Sequence, residues 1–204
     1  MLSSLLSLLP FLLFAFVASI TPGPTNILVL SNSAQFGFKA SMPFIVSASA
    51  SAASVVLLVG CGLGDVLGLV PRLQIAMQWA GTLWLSLLAW KIFRSPPVLV
   101  DSETLGTGSV AGVWTAISLQ WINPKTWMMA LAVISVFNDK GPDRLEQVGW
   151  MSLSFFLVAM PCLSVWAALG AGSRQSMSSP RIRNNFNRML GVLLLLSTWL
   201  GLWW

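Results

Sequence analysis

The sequence predicts an all-α polytopic membrane protein with six transmembrane helices in two inverted three-helix repeats. Three observations predict it. Of 204 residues, 56% are hydrophobic and 8% charged, with mean hydropathy +0.80, whereas a soluble domain carries roughly 25% charged residues. The apolar residues gather into six runs, each near the about 20 residues a spanning helix needs. The first and fourth runs are interrupted by proline motifs at corresponding places. Six spans with short connections consume nearly the whole chain and exclude a separate soluble nucleotide-binding domain.

The runs lie near residues 3–31, 42–64, 73–93, 112–137, 148–172 and 186–204. The first has no Lys or Arg before it and no small-residue cleavage site after it, so it is expected to stay as a span and not to act as a signal peptide. The connections hold every charge except Lys125. The first, third and fifth carry Lys39, Lys91, Arg94, Arg174, Arg181, Arg183 and Arg188, while the second and fourth carry Arg72, Lys140 and Arg144. Cytoplasmic loops retain positive charge, so the odd connections are expected inside and both termini in the periplasm. Trp114, Trp150, Trp203 and Trp204 fall at span ends, where amphipathic rings favour the headgroup level; Trp84, Trp121, Trp127 and Trp166 lie deeper and are expected to pack.

Residues 95–111 form the longest connection, rich in Pro, Gly, Ser and Thr with Asp101 and Glu103, and are expected to be a polar linker. They divide the chain into a first repeat, 1–94, and a second, 112–204. An odd number of spans per half turns the second half upside down relative to the first, the arrangement of many transporters.

The first break is Thr21-Pro22-Gly23-Pro24-Thr25-Asn26 and the second is Asn123-Pro124-Lys125. Proline lacks an amide hydrogen, so Pro22 and Pro24 free the carbonyls of Ala18 and Ile20, and Pro124 frees that of Gln120; Gly23 is expected to let the chain unwind. Irregular backbone at this depth survives only where protein or a water-filled cavity satisfies it. A single proline, such as Pro161 in the fifth span, is read as a simple kink. Paired breaks in two halves point instead to a binding site near the midplane. Lys125 sits about 12 residues from either end of its span, about 18 Å from the nearest interface. A central cation costs about 2.5–3.5 kcal/mol to insert, so it is expected to face a wet cavity or hold a ligand.

An unpaired ammonium beside the free amides of a half-helix suits a carboxylate, and freed carbonyls suit an ammonium. The site is therefore expected to take a small zwitterion, with Thr21, Pro22, Gly23, Pro24, Thr25, Asn26, Asn123, Pro124 and Lys125 as substrate-binding residues and Lys125 as the candidate for coupling. The Ser47–Ser54 run of alternating Ser and Ala favours tight helix packing, with lining of a polar path as the alternative. Asp65 closes the second span and is expected to be an interfacial residue. With no His and only two Cys, no metal site, cofactor or enzymatic nucleophile–base pair stands out. The expected partners are the lipid bilayer and a small solute, not nucleic acid.

These motifs, together with Gly37-Phe38, Ala80-Gly81 and Leu88-Ala89-Trp90-Lys91, resemble the lysine exporter/homoserine-threonine resistance (LysE/RhtB) family of bacterial amino-acid exporters across nearly the whole chain. Trp90-Lys91-Ile92-Phe93 resembles its cysteine/O-acetylserine branch. The resemblance implies a six-helix exporter of the bacterial inner membrane that moves small amino acids or derivatives outward in exchange for protons, and it allows a homodimer. Gly81-Thr82-Leu83-Trp84-Leu85 departs from the family's Tyr-containing stretch, and the first half offers no mid-span acid as proton carrier. Broader relatives of the fold raise one rival, a membrane thiol-disulfide electron carrier, because Cys61 and Cys162 lie 101 residues apart, near the 102-residue offset of Pro22 and Pro124. A second rival is an assembly protein without transport, in which Lys125 is dispensable.

Overall fold

The computed structural model describes residues 2–94, 112–138, 143–176 and 179–200, and these residues are helical with short breaks. The linker 95–111, Asp139, Lys140, Trp203 and Trp204 lie outside the described residues. Helix α1 (Leu2–Ile20) and α2 (Pro24–Phe36) come from the first apolar run. Then follow α3 (Phe38–Leu58), a five-residue π-helical segment (Val59–Leu63), and α4 (Gly64–Leu69). α5 (Pro71–Arg94) completes the first half, and α6 (Val113–Ile122), α7 (Pro124–Phe137), α8 (Arg144–Ser176) and α9 (Pro180–Leu200) make the second.

Local chemistry explains the boundaries. Pro24 and Pro124 each open a helix at a position where the missing amide hydrogen is harmless. Gly37 alone joins α2 to α3, at φ 89°, a conformation that glycine adopts without the Cβ penalty. The first connection is therefore one residue, not the longer loop implied by ending the first span at residue 31. The π segment was not foreseen. Gly62 there has φ 113° and kinks the second span, so Gly60, Gly62 and Gly64 mark a bend inside an apolar run. Pro161 lies within a continuous α8.

The stretches Phe38–Val66 and Arg144–Ser173 are each long and apolar enough to cross a bilayer, and Leu9–Ile20 with Pro24–Phe36, bent by 54°, makes a third if taken as one span. α6 and α7 are shorter apolar helices. α5 and α9 reach spanning length but carry polar ends, including Arg72, Gln74, Lys91 and Arg94 on one and Arg181, Arg183 and Arg188 on the other.

Packing follows small residues. α1 and α2 lie on α8, α6 and α7 lie on α3, α3 lies on α8, and α5 lies on α9. At Gly170 of α8 any Cβ would run into the backbone carbonyl of Leu30 in α2, and at Gly81 of α5 into that of Ile122 in α6. Such close approach is what drives helix association where lipid removes the hydrophobic incentive. Two apolar clusters result, one around Leu28, Phe44, Ile45, Leu119 and Leu194 and the other around Phe11, Val55, Val59 and Phe155. α5 and α9 run antiparallel, since Arg188 lies 5.7 Å over the Phe93 ring at one end while Trp79 and Trp199 meet at 6.3 Å at the other. Asp65 pairs with Arg144 at 3.5 Å; the pair is largely exposed and adds little stability.

Candidate functional site

The two breaks meet. Lys125, the second residue of α7, donates from Nζ to the Thr21 carbonyl at 2.8 Å. No carboxylate pairs with this ammonium among the described residues; its partner is a neutral backbone carbonyl. Thr21 lies in the gap between α1 and α2, and its carbonyl is held by a side chain from the opposite half instead of by a helix amide. Gly23 is extended, at φ −168° and ψ 178°, a conformation open to any residue, so it is not there to let the chain unwind. Its role is contact: a Cβ would stand 3.1 Å from Nζ and 3.2 Å from Cδ of Lys125.

The end of α1 is almost fully satisfied by the fold. Thr21 donates its amide and its hydroxyl to the Val17 carbonyl. Asn26 donates Nδ2 to the Ser19 carbonyl at 2.8 Å. Trp166 donates Nε1 to the Ile20 carbonyl, freed by Pro24, at 3.1 Å, so this ring bridges α8 to the break and does more than pack. Only the Ala18 carbonyl, freed by Pro22, has no donor among the described residues.

The two half-helix N-termini are unequal. Asn123 caps α7, accepting from the Lys125 amide at 3.2 Å, while the cap position of α2 is Gly23, which offers no side chain. The first-turn amides of α2 are therefore left without a side-chain cap. Trp127 donates to the Trp121 carbonyl at 2.7 Å beside the second break.

Two cavities flank this layer. A small one, of about 60 Å³, is lined by Gly23, Pro24, Thr25, Asn26, Asn123 and Lys125 together with residues of α3 and α8. A larger one, of about 440 Å³, is lined by Thr21, Pro22, Gly23, Pro24, Asn123, Pro124 and Lys125 together with residues of α5 and α9. All nine sequence-derived residues thus line one cavity or the other. Gly23, Pro24, Asn123 and Lys125 line both and form the partition between them.

Gln120 was missed as a side chain. It is 5% exposed, accepts on Oε1 from Thr126 at 2.6 Å and from Thr25 at 3.4 Å, and donates to the Ala48 carbonyl at 3.2 Å. It ties α2, α3, α6 and α7 together at the small cavity. A buried amide within an apolar span was the signal that could have found it. Ser19 and Ser49 also line the small cavity, and their hydroxyls have no partner among the described residues. Cys61, exposed in the π segment, and Cys162, buried in α8, are free thiols.

Helices too apolar for water, broken at a polar layer between two cavities, define a membrane translocator. The chain belongs to the LysE type translocator family, whose sequence profile matches residues 16–198. It is 29% identical over 164 residues to a cysteine/O-acetylserine efflux protein of Klebsiella pneumoniae subsp. pneumoniae, covering 78% of this chain and 80% of the relative. It is 27% identical to proteins of the same description from Salmonella typhimurium, over 92% of this chain and 93% of the relative, and from Escherichia coli O6:K15:H31, over 90% and 89%. No solved structure matches the chain.

Proposed function

We propose that this protein is a secondary transporter that exports small zwitterionic amino acids or their derivatives across the bacterial inner membrane. The observation that carries the reading is the Lys125–Thr21 bond, which joins the two breaks and stands between the two cavities. A substrate carboxylate at the uncapped amides of α2 would sit beside Lys125. A carboxylate is a stronger partner for an ammonium than a neutral carbonyl, because the attraction of two full opposite charges adds to the hydrogen bond where little water screens it. Capture of Nζ by the substrate releases Thr21 and loosens the partition, which is the step alternating access requires. The substrate ammonium bonds to the open Ala18 carbonyl. Export of cysteine and O-acetylserine by the relatives, as their descriptions state, supports this substrate class.

Six spans in two inverted repeats belong to the same proposal. Its support is the exchange of partners: the broken first span packs on the fifth, as the broken fourth packs on the second, while second meets fifth and third meets sixth. The basic residues Arg94 and Arg188 lie at one end of α5 and α9, with Asp65 and Arg144 closing α3–α4 and opening α8, in keeping with cytoplasmic odd connections and periplasmic termini. Proton exchange completes the cycle, with Lys125 as the group that alternates between charged and neutral. The test is efflux of radiolabelled amino acids from loaded proteoliposomes, with and without a pH gradient. Small neutral amino acids leave, faster with the gradient; no efflux of neutral, basic or sulfur-containing amino acids refutes the proposal.

A further inference from the structure

The outer side of the α5–α9 pair carries two arginines that the proposed transport site leaves unused. α9 comes against α5 at Gly191, where a Cβ would stand 2.8 Å from the Ala89 carbonyl and from Cβ of Phe93. This close approach sets the first half of α9 beside the last turns of α5, and four side chains form one ledge there. The Arg94 guanidinium lies 4.4 Å from the Trp90 ring centroid, the Trp90 and Phe93 rings stack at 5.9 Å with 5° between their planes, and Arg188 lies 5.7 Å from the Phe93 ring. A ring face attracts a guanidinium without accepting its N–H groups as a carboxylate would, so these stay available to another partner. Both arginines are exposed, and neither has an acidic partner among the described residues. Lys91 and Arg181, also exposed, add positive charge at this end. The described acids Asp65, Asp143 and Glu146 lie at the other end, by α4 and the start of α8. α5 follows α4 after Val70 and carries Arg94 away from them over 24 residues, or about 36 Å.

An apolar seam continues from the ledge. Trp79 and Trp199 meet at 6.3 Å farther along the same two helices. Helical spacing places Leu83 and Leu87 of α5, and Val192 and Leu196 of α9, between that pair and the ledge, and all four are exposed. Leu85 and Ser197, on the far faces of these helices, line the larger cavity instead. From Trp79 to Trp90 the helix rises about 16 Å, close to half of the about 30 Å hydrocarbon core.

We infer that the α5–α9 seam is a binding site for one anionic diacyl phospholipid, with its head group on the Arg94–Arg188 ledge and an acyl chain along the apolar seam. The seam is one leaflet long and positive only at its head. Arginine forks match phosphate oxygens in pairs, and the exposed Trp90 ring suits the headgroup level. A zwitterionic lipid brings its own cation, which this end repels. Inorganic phosphate has no chain for the seam. The site lies apart from Lys125 and both cavities, so it holds whatever solute the protein carries.

The test titrates the full-length protein, purified in neutral detergent and stripped of lipid, with dioleoylphosphatidylglycerol or dioleoylphosphatidylcholine, and counts retained lipid by native mass spectrometry. Each arginine beside an anionic head group contributes about fivefold, so wild type holds the first phosphatidylglycerol about twentyfold more tightly than phosphatidylcholine. Arg94→Gln with Arg188→Gln abolishes that preference, and either change alone lowers it about fivefold, which carries the test if the double variant does not elute monodisperse. Trp90→Leu keeps both guanidiniums but removes the ring under Arg94, and lowers it about two- to fivefold. Arg72→Gln, at the other end of α5, leaves it unchanged. Equal retention of the two lipids by wild type, or a preference that survives loss of Arg94 and Arg188 or falls as far in Arg72→Gln, overturns the inference. So does displacement of the lipid by an equal concentration of inorganic phosphate, which would make the ledge a site for a free anion.

Discussion

Replacing Lys125 with methionine separates stability from transport, and the structure sets the size of both effects. The ammonium makes one hydrogen bond, to the Thr21 carbonyl at 2.8 Å, and losing a bond from a charged donor costs about 1.5–3 kcal/mol. Against this, a cation at mid-span carries an insertion penalty of about 2.5–3.5 kcal/mol, which methionine abolishes. Lys125 is only partly buried and borders two cavities, so the relief falls at the lower end of that range. The two effects nearly cancel, and thermal stability in detergent should change by about 1 kcal/mol or less in either direction. Transport has no such compensation. Lys125 is the one charged residue lining either cavity among the described residues. A bound carboxylate would lose its charge-assisted partner, about 1.5–3 kcal/mol, or about tenfold to a hundredfold in initial efflux rate at subsaturating substrate. The assay is initial efflux from proteoliposomes beside a melting curve of the same preparation. Efflux at the wild-type rate refutes the reasoning, as does a loss of efflux that merely tracks a large fall in melting temperature.

Two other substitutions probe separate parts of the account. Trp166→Phe keeps an aromatic ring in α8 but removes the donor to the Ile20 carbonyl, leaving that group stranded at about 1–3 kcal/mol; the melting temperature should fall and efflux should slow. Cys61→Ser combined with Cys162→Ser should leave efflux at the wild-type level, whereas abolished activity would favour the thiol-disulfide electron carrier.

Features set by local covalent chemistry were legible before any coordinates. Proline acts on its own turn of helix, so Pro22, Pro24 and Pro124 announced the gaps after Ile20 and Ile122. Lys125 was conspicuous because no other charge lies near the middle of a span. What escaped depends on partners far along the chain. Trp166 reaches the Ile20 carbonyl across 146 residues, Gln120 reaches Ala48 across 72, and Lys125 reaches Thr21 across 104; no periodicity encodes such pairings. The π segment at Val59–Leu63 was hidden for a different reason: its glycines also suit tight packing, and a bend leaves the hydrophobic run unbroken.

Restoring continuous helices across the layer tests the central claim most directly. With Pro22, Pro24 and Pro124 all changed to alanine, radiolabelled L-cysteine efflux from loaded proteoliposomes under reducing conditions should fall to the protein-free leak, while the purified variant melts no lower than wild type. Efflux from that variant at the wild-type rate would contradict the claim that the two interruptions together form the substrate site.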